Sequence, residues 1–190
     1  MSVYRTIVSR RTIRKFKQQK IERAILEKLV DAARLAPSAM NLQPLKYGIV
    51  DEESKVSRFF QFVKWAGYIA PAGNPAENEK PVAYLVVLVD TRIRKSGFEE
   101  DIGAAIQNIL LAAEEEGIGT CWMGAIDRDA IRELLKIPEH FIINSVISMG
   151  YKAENPVYED ENGSIRYYKD ENGVLHVPKR KLDEVIVSFD

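Results

Sequence analysis

The 190-residue sequence has one cysteine, two histidines and almost no net charge, with 27 basic residues against 28 acidic ones. A lone Cys121 excludes an intrachain disulfide and fits a reducing compartment. His140 and His176 lie apart, with no clustered cysteine or carboxylate spacing, so no metal site is expected. Neither histidine forms a nucleophile-and-base order with Cys121, and a cysteine in an apolar strand is ordinarily inert. The balanced charge lacks the basic excess that generic nucleic-acid binding needs. The longest apolar run, Val82 to Val89, falls far short of the ~20 residues of a membrane span, and Met1 to Arg5 has no apolar signal core. The reading is cytoplasmic, with neither membrane nor nucleic acid as partner.

What is present is an ordinary globular mixture, 46% hydrophobic and 29% charged, expected to form one domain over 1–190. A chain of this length buries roughly 70% of its unfolded surface. Ser2 is an N-cap signal before Val3, Ile7 and Val8 at helical spacing. From Ile21 to Ala36 apolar residues recur every three or four positions until Pro37, which cannot continue a helix. Tyr47 to Val50 reads as a short strand, and Ser54 as the cap of a helix carrying Phe59, Phe60 and Val63. Residues 67–81 hold Pro71, Gly73, Pro75 and Pro81 and read as a surface loop or lid. Val82 to Val89 has the pattern of a central strand covered on both faces.

From Ile102 to Ala113 an apolar stripe is joined by Ala104, Ala105, Leu111 and Ala112, which leaves hardly any polar face. Such a helix needs cover on its second side, and another copy of the chain could supply it. Gly117 and Gly119 read as left-handed helix caps, Thr120 to Met123 as a strand, and Asp127 as the cap of a helix through Leu135 stopped by Pro138. Ile142 to Met149 reads as a buried strand ended by Gly150. Asp160-Glu161-Asn162-Gly163 returns as Asp170-Glu171-Asn172-Gly173, and the two Asn-Gly turn signals predict an exposed β-meander over 158–177. Val185-Ile186-Val187 reads as a closing edge strand. Strict βαβ alternation is missing, so the class is α+β.

Four stretches carry donor sets. Arg10, Arg11 and Arg14 place forked cations around the Thr12 hydroxyl, which suits a phosphate or, equally, a solvated connection after the first helix. The loop Pro37-Ser38-Ala39-Met40-Asn41-Leu42-Gln43-Pro44 offers hydroxyl and amide groups for the edge of a heteroaromatic ring, although an Asn-rich turn looks the same. Gly117 to Gly124 has glycines in the order helix, glycines, strand, the reverse of a dinucleotide fingerprint. The bare backbone of Gly124 beside Met123 instead lets an amide approach a planar ligand closely. Lys179, Arg180 and Lys181 form a second cationic cluster, either a phosphate partner or a solubilising tail.

In this order the four pieces resemble the nitroreductase family: an R-R-[ST]-x-R start, a P-S-x-x-N-x-Q-P loop, a G-x-G-T-C-W-x-G segment, and a basic pair before a final L-x-E-[IV]. The resemblance spans nearly the whole chain. It implies the FMN-dependent nitroreductase-like α+β fold, a central mixed sheet surrounded by helices, in an intertwined homodimer with FMN at the subunit interface. By the same resemblance, Arg10, Arg11 and Thr12 hold the FMN phosphate and ribityl chain. Arg14 lies near the pyrimidine side of the ring, where positive charge stabilises the reduced flavin. Pro37, Ser38, Ala39, Met40 and Asn41 come from the other subunit, with Gln43 close by. Met123 and Gly124 approach flavin N5 through backbone amides, and Lys179 and Lys181, or alternatively Arg180, complete the phosphate site.

The implied reaction is ping-pong: NADH or NADPH gives a hydride to N5 and leaves, and a small electron-poor acceptor such as a nitroaromatic or quinone takes its place. No side chain need act as acid, base or nucleophile. The alternatives are a flavin-binding sensor or carrier without turnover, a dehalogenase or heterocycle dehydrogenase on the same fold, and a flavin-free helical dimer binding another anion. Three departures stand out: Leu45 follows Gln-Pro where many relatives have an aromatic residue; 59–81 matches no family pattern, which leaves the acceptor open; and the meander at 158–177 is longer than the simplest family plan, either covering the site or decorating the surface.

Overall fold

The computed structural model describes residues 2–71 and 73–189; Ala72, inside the expected lid, lies outside the described residues, as do Met1 and Asp190. Its main sheet has five strands, β1 (Phe16–Lys17), β2 (Leu45–Val50), β3 (Ala83–Asp90), β4 (Ile118–Met123) and β5 (Phe141–Lys152). β3 lies between β2 and β5, while β4 and β1 also pair with β5. Every pair of these strands is antiparallel, and the mixture expected of the sheet reduces to one parallel bridge between Thr12 and Thr120.

Helices α1 (Val3–Ser9), α2 (Arg23–Arg34), α3 (Glu53–Phe59), α4 (Glu99–Glu115) and α5 (Arg128–Leu135) surround this sheet. Alternation along β3 sorts its side chains onto two cores. Leu85, Val87 and Val89 pack with Leu26 and Leu29 of α2 and Ile102, Ile106 and Ile109 of α4. Tyr84, Val86 and Leu88 pack with Val56 and Phe59 of α3 and Ile131 of α5. All of β3 is buried, as its unbroken apolar run requires, and each of its Val and Leu side chains contributes about 1.5–3 kcal/mol. The outward side of α4 stays uncovered within the chain: Gln107 is exposed, Ala104 and Leu111 are half-buried, and nothing lies within 4 Å of a Cβ placed on Gly103. No helix among the described residues is long and apolar enough to cross a membrane.

Capping chemistry explains several ends. Ser2 Oγ accepts the Arg5 N–H at 3.4 Å, and Asp127 Oδ1 accepts the Ala130 N–H at 3.0 Å, as expected of both caps. Gly117 takes the left-handed conformation at φ 73° after α4. Gly119 does not cap the helix but is a residue of β4, where it faces Gly150 across the β4–β5 pair. Gly150 likewise does not end its strand, because β5 continues to Lys152 and needs a residue without a Cβ at that point. A Cβ on Gly119 would lie 2.7 Å from Ile13 Cγ2, and one on Gly150 2.7 Å from Phe16 Cβ. The bare glycine pair leaves room for residues 13–16 to pass between the Thr12 bridge on β4 and the β1 pairing with β5.

Three further expectations need correction. Glu52, not Ser54, precedes α3, which stops at Phe59; Val63 forms a lone bridge with Ile126. The 158–177 segment is not a meander. It builds a second sheet in the order β6 (Val157–Asp160), β8 (Leu175–Lys179), β7 (Tyr168–Lys169), with β6 parallel to β8. Only Asn172-Gly173 closes a hairpin, aided by the Gly173 N–H donating to Asp170 O at 3.0 Å and φ 76° at the glycine. Residues 185–187 form no edge strand: α6 (Leu182–Val185) ends there, and 186–189 are exposed and irregular, since no neighbouring strand offers them hydrogen bonds.

Candidate functional site

The Ile13 N–H donates to Thr120 O at 2.9 Å, which lays the arginine segment along the edge of β4. Arg10 and Arg11 are half-buried, and neither ion-pairs with a carboxylate among the described residues. Burial lowers the Arg10 pKa from the ordinary arginine value, partly offset by Glu114; burial and then Arg10 lower that of Arg11. Glu114 itself is held by Lys152 at 2.5 Å. Partly desolvated, unpaired guanidinium groups are the donor chemistry that an oxyanion such as a phosphate satisfies. Arg11 also donates to Val8 O. Arg14 donates its backbone N–H to Glu154 Oε1 at 2.5 Å.

The 37–43 loop is anchored by a residue that sequence patterns did not single out. Asp101, 4% exposed in the first turn of α4, accepts the Ser38 hydroxyl at 2.6 Å and the Ala39 N–H at 3.0 Å. Arg94 Nη1 stands 3.8 Å away. Burial alone would raise the Asp101 pKa, but the Ser38 and Ala39 hydrogen bonds and the Arg94 charge together hold it below the ordinary value. Ser38 Oγ in turn accepts the Gln43 N–H at 3.0 Å, and Gln43 Nε2 donates to Asn41 Oδ1 at 3.1 Å. The loop holds three left-handed residues that are not glycine: Met40 and Asn41 at φ 54°, and Gln43 at φ 50°. Such backbone costs about 1–3 kcal/mol per residue and persists only where surrounding bonds enforce it. Met40 is 90% exposed, so the strain is not repaid by packing within the chain. A cleft of about 230 Å³ behind the loop is bordered by Pro37, Ser38, Gln43, Tyr47 and Asp101, and burial pushes the Tyr47 hydroxyl up to about 12.

At the far end of β4, Met123 is buried while Gly124 is exposed, and nothing lies within 4 Å of a Cβ placed on Gly124. Its carbonyl accepts from Arg128 Nη2 at 3.3 Å, and the same guanidinium donates to Ile143 O at 2.9 Å and Asn144 O at 2.8 Å. Arg128, also missed by sequence patterns, therefore pins the turn at Gly124 to β5. Cys121 is buried, and burial pushes its thiol up to about 11 despite the opposing Arg14 charge, which fits the expectation that it is inert.

Lys179, Arg180 and Lys181 are exposed where β8 ends, and Lys179 O accepts the Glu161 N–H at 2.7 Å. The second sheet reaches the arginine segment through ring contacts: the Arg11 guanidinium lies 4.9 Å from the Tyr158 ring, and that of Arg14 lies 5.2 Å from the Tyr167 ring. One chain thus brings the 10–14 segment, β4 and the second sheet together. It does not bring in the 37–43 loop, since that loop is tied to Asp101 in the first turn of α4 while Arg10 senses Glu114 in the last. Those turns are roughly 20 Å apart at 1.5 Å per residue. A larger cleft of about 580 Å³, bordered by Lys20, Asp51, Ser57, Phe60 and Lys80, holds none of the residues singled out above.

Comparison with known proteins bears on the family of the chain. The family model described as "Nitroreductase family" matches residues 7–151. A protein of Archaeoglobus fulgidus, provisionally named NADH dehydrogenase/NAD(P)H nitroreductase, is 37% identical over 167 residues, covering 82% of this chain and 89% of its own length. The NADPH-flavin oxidoreductase of Vibrio harveyi is 29% identical over 167 residues, covering 80% of this chain and 66% of its own. Among solved structures, an FMN-dependent nitroreductase of Clostridium difficile aligns with a TM-score of 0.65 at 27% identity, covering 80% of this chain and 88% of its own.

Proposed function

The chain belongs to the nitroreductase family, and from that membership we propose that it is an FMN-dependent oxidoreductase that uses NADH or NADPH to reduce a small electron-poor acceptor. The observation that carries the reading is the pair of half-buried arginines, Arg10 and Arg11, neither with a carboxylate ion pair among the described residues, beside the same edge strand that ends at the open backbone of Gly124. From Thr120 to Gly124 the strand spans roughly 13 Å, enough to separate a phosphate from a planar ring. Arg10, Arg11 and Thr12 hold the phosphate end, with Lys179, Arg180 or Lys181 adding charge. Arg14 faces the ring, and the backbone at Met123 and Gly124, fixed by Arg128, offers it an amide.

The flavin would supply the two-electron chemistry, so no side chain need act as acid, base or nucleophile. For a nitro acceptor, one NAD(P)H and one proton are consumed as the nitro group becomes nitroso and one water is released. The separation of the 37–43 loop from the arginine segment supports a homodimer in which Ser38, Ala39, Met40, Asn41 and Gln43 of one protomer complete the partner's site. The uncovered small-residue side of α4 is the surface suited to that contact.

Anaerobic stopped-flow mixing of the purified protein with NADH or NADPH, followed by a nitroaromatic, tests the reading. Bleaching of the flavin band and its return with the acceptor are expected. A protein that stays colourless after FMN supplementation, or a flavin that stays oxidised with both nucleotides, overturns it.

A further inference from the structure

Beyond residue 151, where the family-model match stops, the second sheet and the stretch before β7 form a wall beside Arg14. The Tyr167 ring, in the stretch between β6 and β7, lies 4.9 Å from the ring of Tyr68 at a tilt of 44°. A guanidinium sits on each ring: Arg14 is 5.2 Å from Tyr167, and Arg166 is 5.1 Å from Tyr68. The result is a chain of contacts, Arg14–Tyr167–Tyr68–Arg166, that begins at the residue facing the flavin ring and ends at solvent. Tyr68 is 60% exposed, which leaves aromatic surface open to a ligand on that side. Arg166 is exposed and ion-pairs with no carboxylate among the described residues.

Four acids of the surrounding segments already have partners. Glu79 pairs with Lys15 at 2.9 Å. Glu154 accepts the Arg14 and Lys15 backbone N–H groups. Glu159 and Asp170 both bond to His176, at 2.8 and 3.5 Å. That His176 cluster also ties β6, β8 and the turn after β7 together, the frame from which the stretch with Arg166 and Tyr167 extends.

We propose that this wall selects the acceptor, and that the acceptor is a planar aromatic anion whose ring stacks on Tyr68 and Tyr167 while its acidic group meets Arg166. The proposal rests on the oxidoreductase reading above and narrows its substrate class. Aromatic faces stack electron-poor rings whether charged or not. The guanidinium at the outer end adds attraction only for an anion, and does so more strongly where a ring excludes water from one side. A neutral quinone would use the rings and leave Arg166 idle.

The test compares 4-nitrobenzoate with its neutral analogue 4-nitrobenzamide on the FMN-loaded protein, by Kd from flavin absorbance and by KM in turnover. Wild type prefers the anion in both, and Arg166→Glu lowers the anion-to-amide preference about tenfold. The preference shrinks as salt rises from 0.01 to 0.5 M, as expected for an exposed charge. Arg166→Lys, which keeps the charge, retains the preference. Wild type without a preference, an unchanged preference in Arg166→Glu, or equal loss in Arg166→Lys overturns the proposal. So does a shift in the NADPH-to-NADH ratio in Arg166→Glu, because it would assign Arg166 to the nucleotide. A wild type that binds the benzoate preferentially yet oxidises neither nucleotide upholds the wall and overturns the enzymatic reading instead.

Discussion

Gly119 and Gly150 are register partners across β4 and β5, and a Cβ on either would strike the segment that crosses them, Ile13 in the first case and Phe16 in the second. The pair sets the path by which the arginine segment reaches the edge of β4. Gly119→Ala is therefore expected to destabilise the fold by about 1–3 kcal/mol, since the neighbouring atoms are close to the backbone and cannot swing away. Thermal unfolding should fall by several degrees, and FMN retention should fall with it as Arg10 and Arg11 move. An unchanged melting temperature would show that residues 13–16 have slack that the geometry does not allow.

Removing one forked cation from the phosphate end has a different signature. Arg10→Ala should weaken FMN binding by about tenfold to a hundredfold, the loss expected for a charged hydrogen bond. Arg11→Lys should cost less, because the charge survives and part of the Arg11 guanidinium is already spent on Val8 O and the Tyr158 ring. Flavin fluorescence quenching measures both. Equal affinities for wild type and Arg10→Ala would remove the arginine from the phosphate site.

How far the sequence foretold this arrangement depended on how local each signal was. Ser2, Asp127 and Gly117 act within one turn of helix, and β3 declares itself by an unbroken apolar run; all four were legible. Gly119 and Gly150 were misread because their meaning lies in residues far off along the chain, Ile13 and Phe16. Asn162-Gly163 carried the same turn signal as Asn172-Gly173, yet β6 found β8 rather than β7, a choice that turn chemistry does not encode. At the site, the arginines and the 37–43 loop were visible as motifs. Asp101 was not, because an acid in the first turn of a helix looks like ordinary dipole compensation until its partners Ser38 and Ala39 are seen. Arg128 was hidden likewise, since it acts on backbone carbonyls.

The second sheet should respond to pH through His176. Its pKa is raised, first by the hydrogen bond to Glu159 and then by Asp170, while Tyr168 stacks on its ring at 4.9 Å. A raised folded pKa means that its contribution is complete below the ordinary histidine value of about 6.5 and is lost as pH climbs through the raised one. Glu159 and Asp170 are lowered, so their contribution is present above the ordinary carboxylate range and is lost as pH falls through the lowered values. Amide protection across 157–179, taken relative to the intrinsic exchange rate at each pH, should therefore be greatest in the mildly acidic window between these limits. His176→Gln should abolish the alkaline loss of protection, and a loss that persists in that variant would place the titration elsewhere.

Cys121 provides a negative control. With its thiol pushed up to about 11 by burial, it should resist Ellman's reagent in the native protein at pH 8 and react only on unfolding. Cys121→Ala should leave kcat unchanged. Rapid native labelling, or loss of turnover in the alanine variant, would return the cysteine to the list of working groups.

The most direct test of a site shared between protomers is to mix two variants, Arg10→Ala, defective in the arginine half, and Asp101→Ala, defective in the anchored loop. Random reassortment of equal amounts makes half the dimers mixed, each with one wild-type site, so about a quarter of wild-type FMN binding should reappear in a mixture of chains that bind poorly alone. FMN retained in the mixture at only the average of the two separate variants would contradict the shared site.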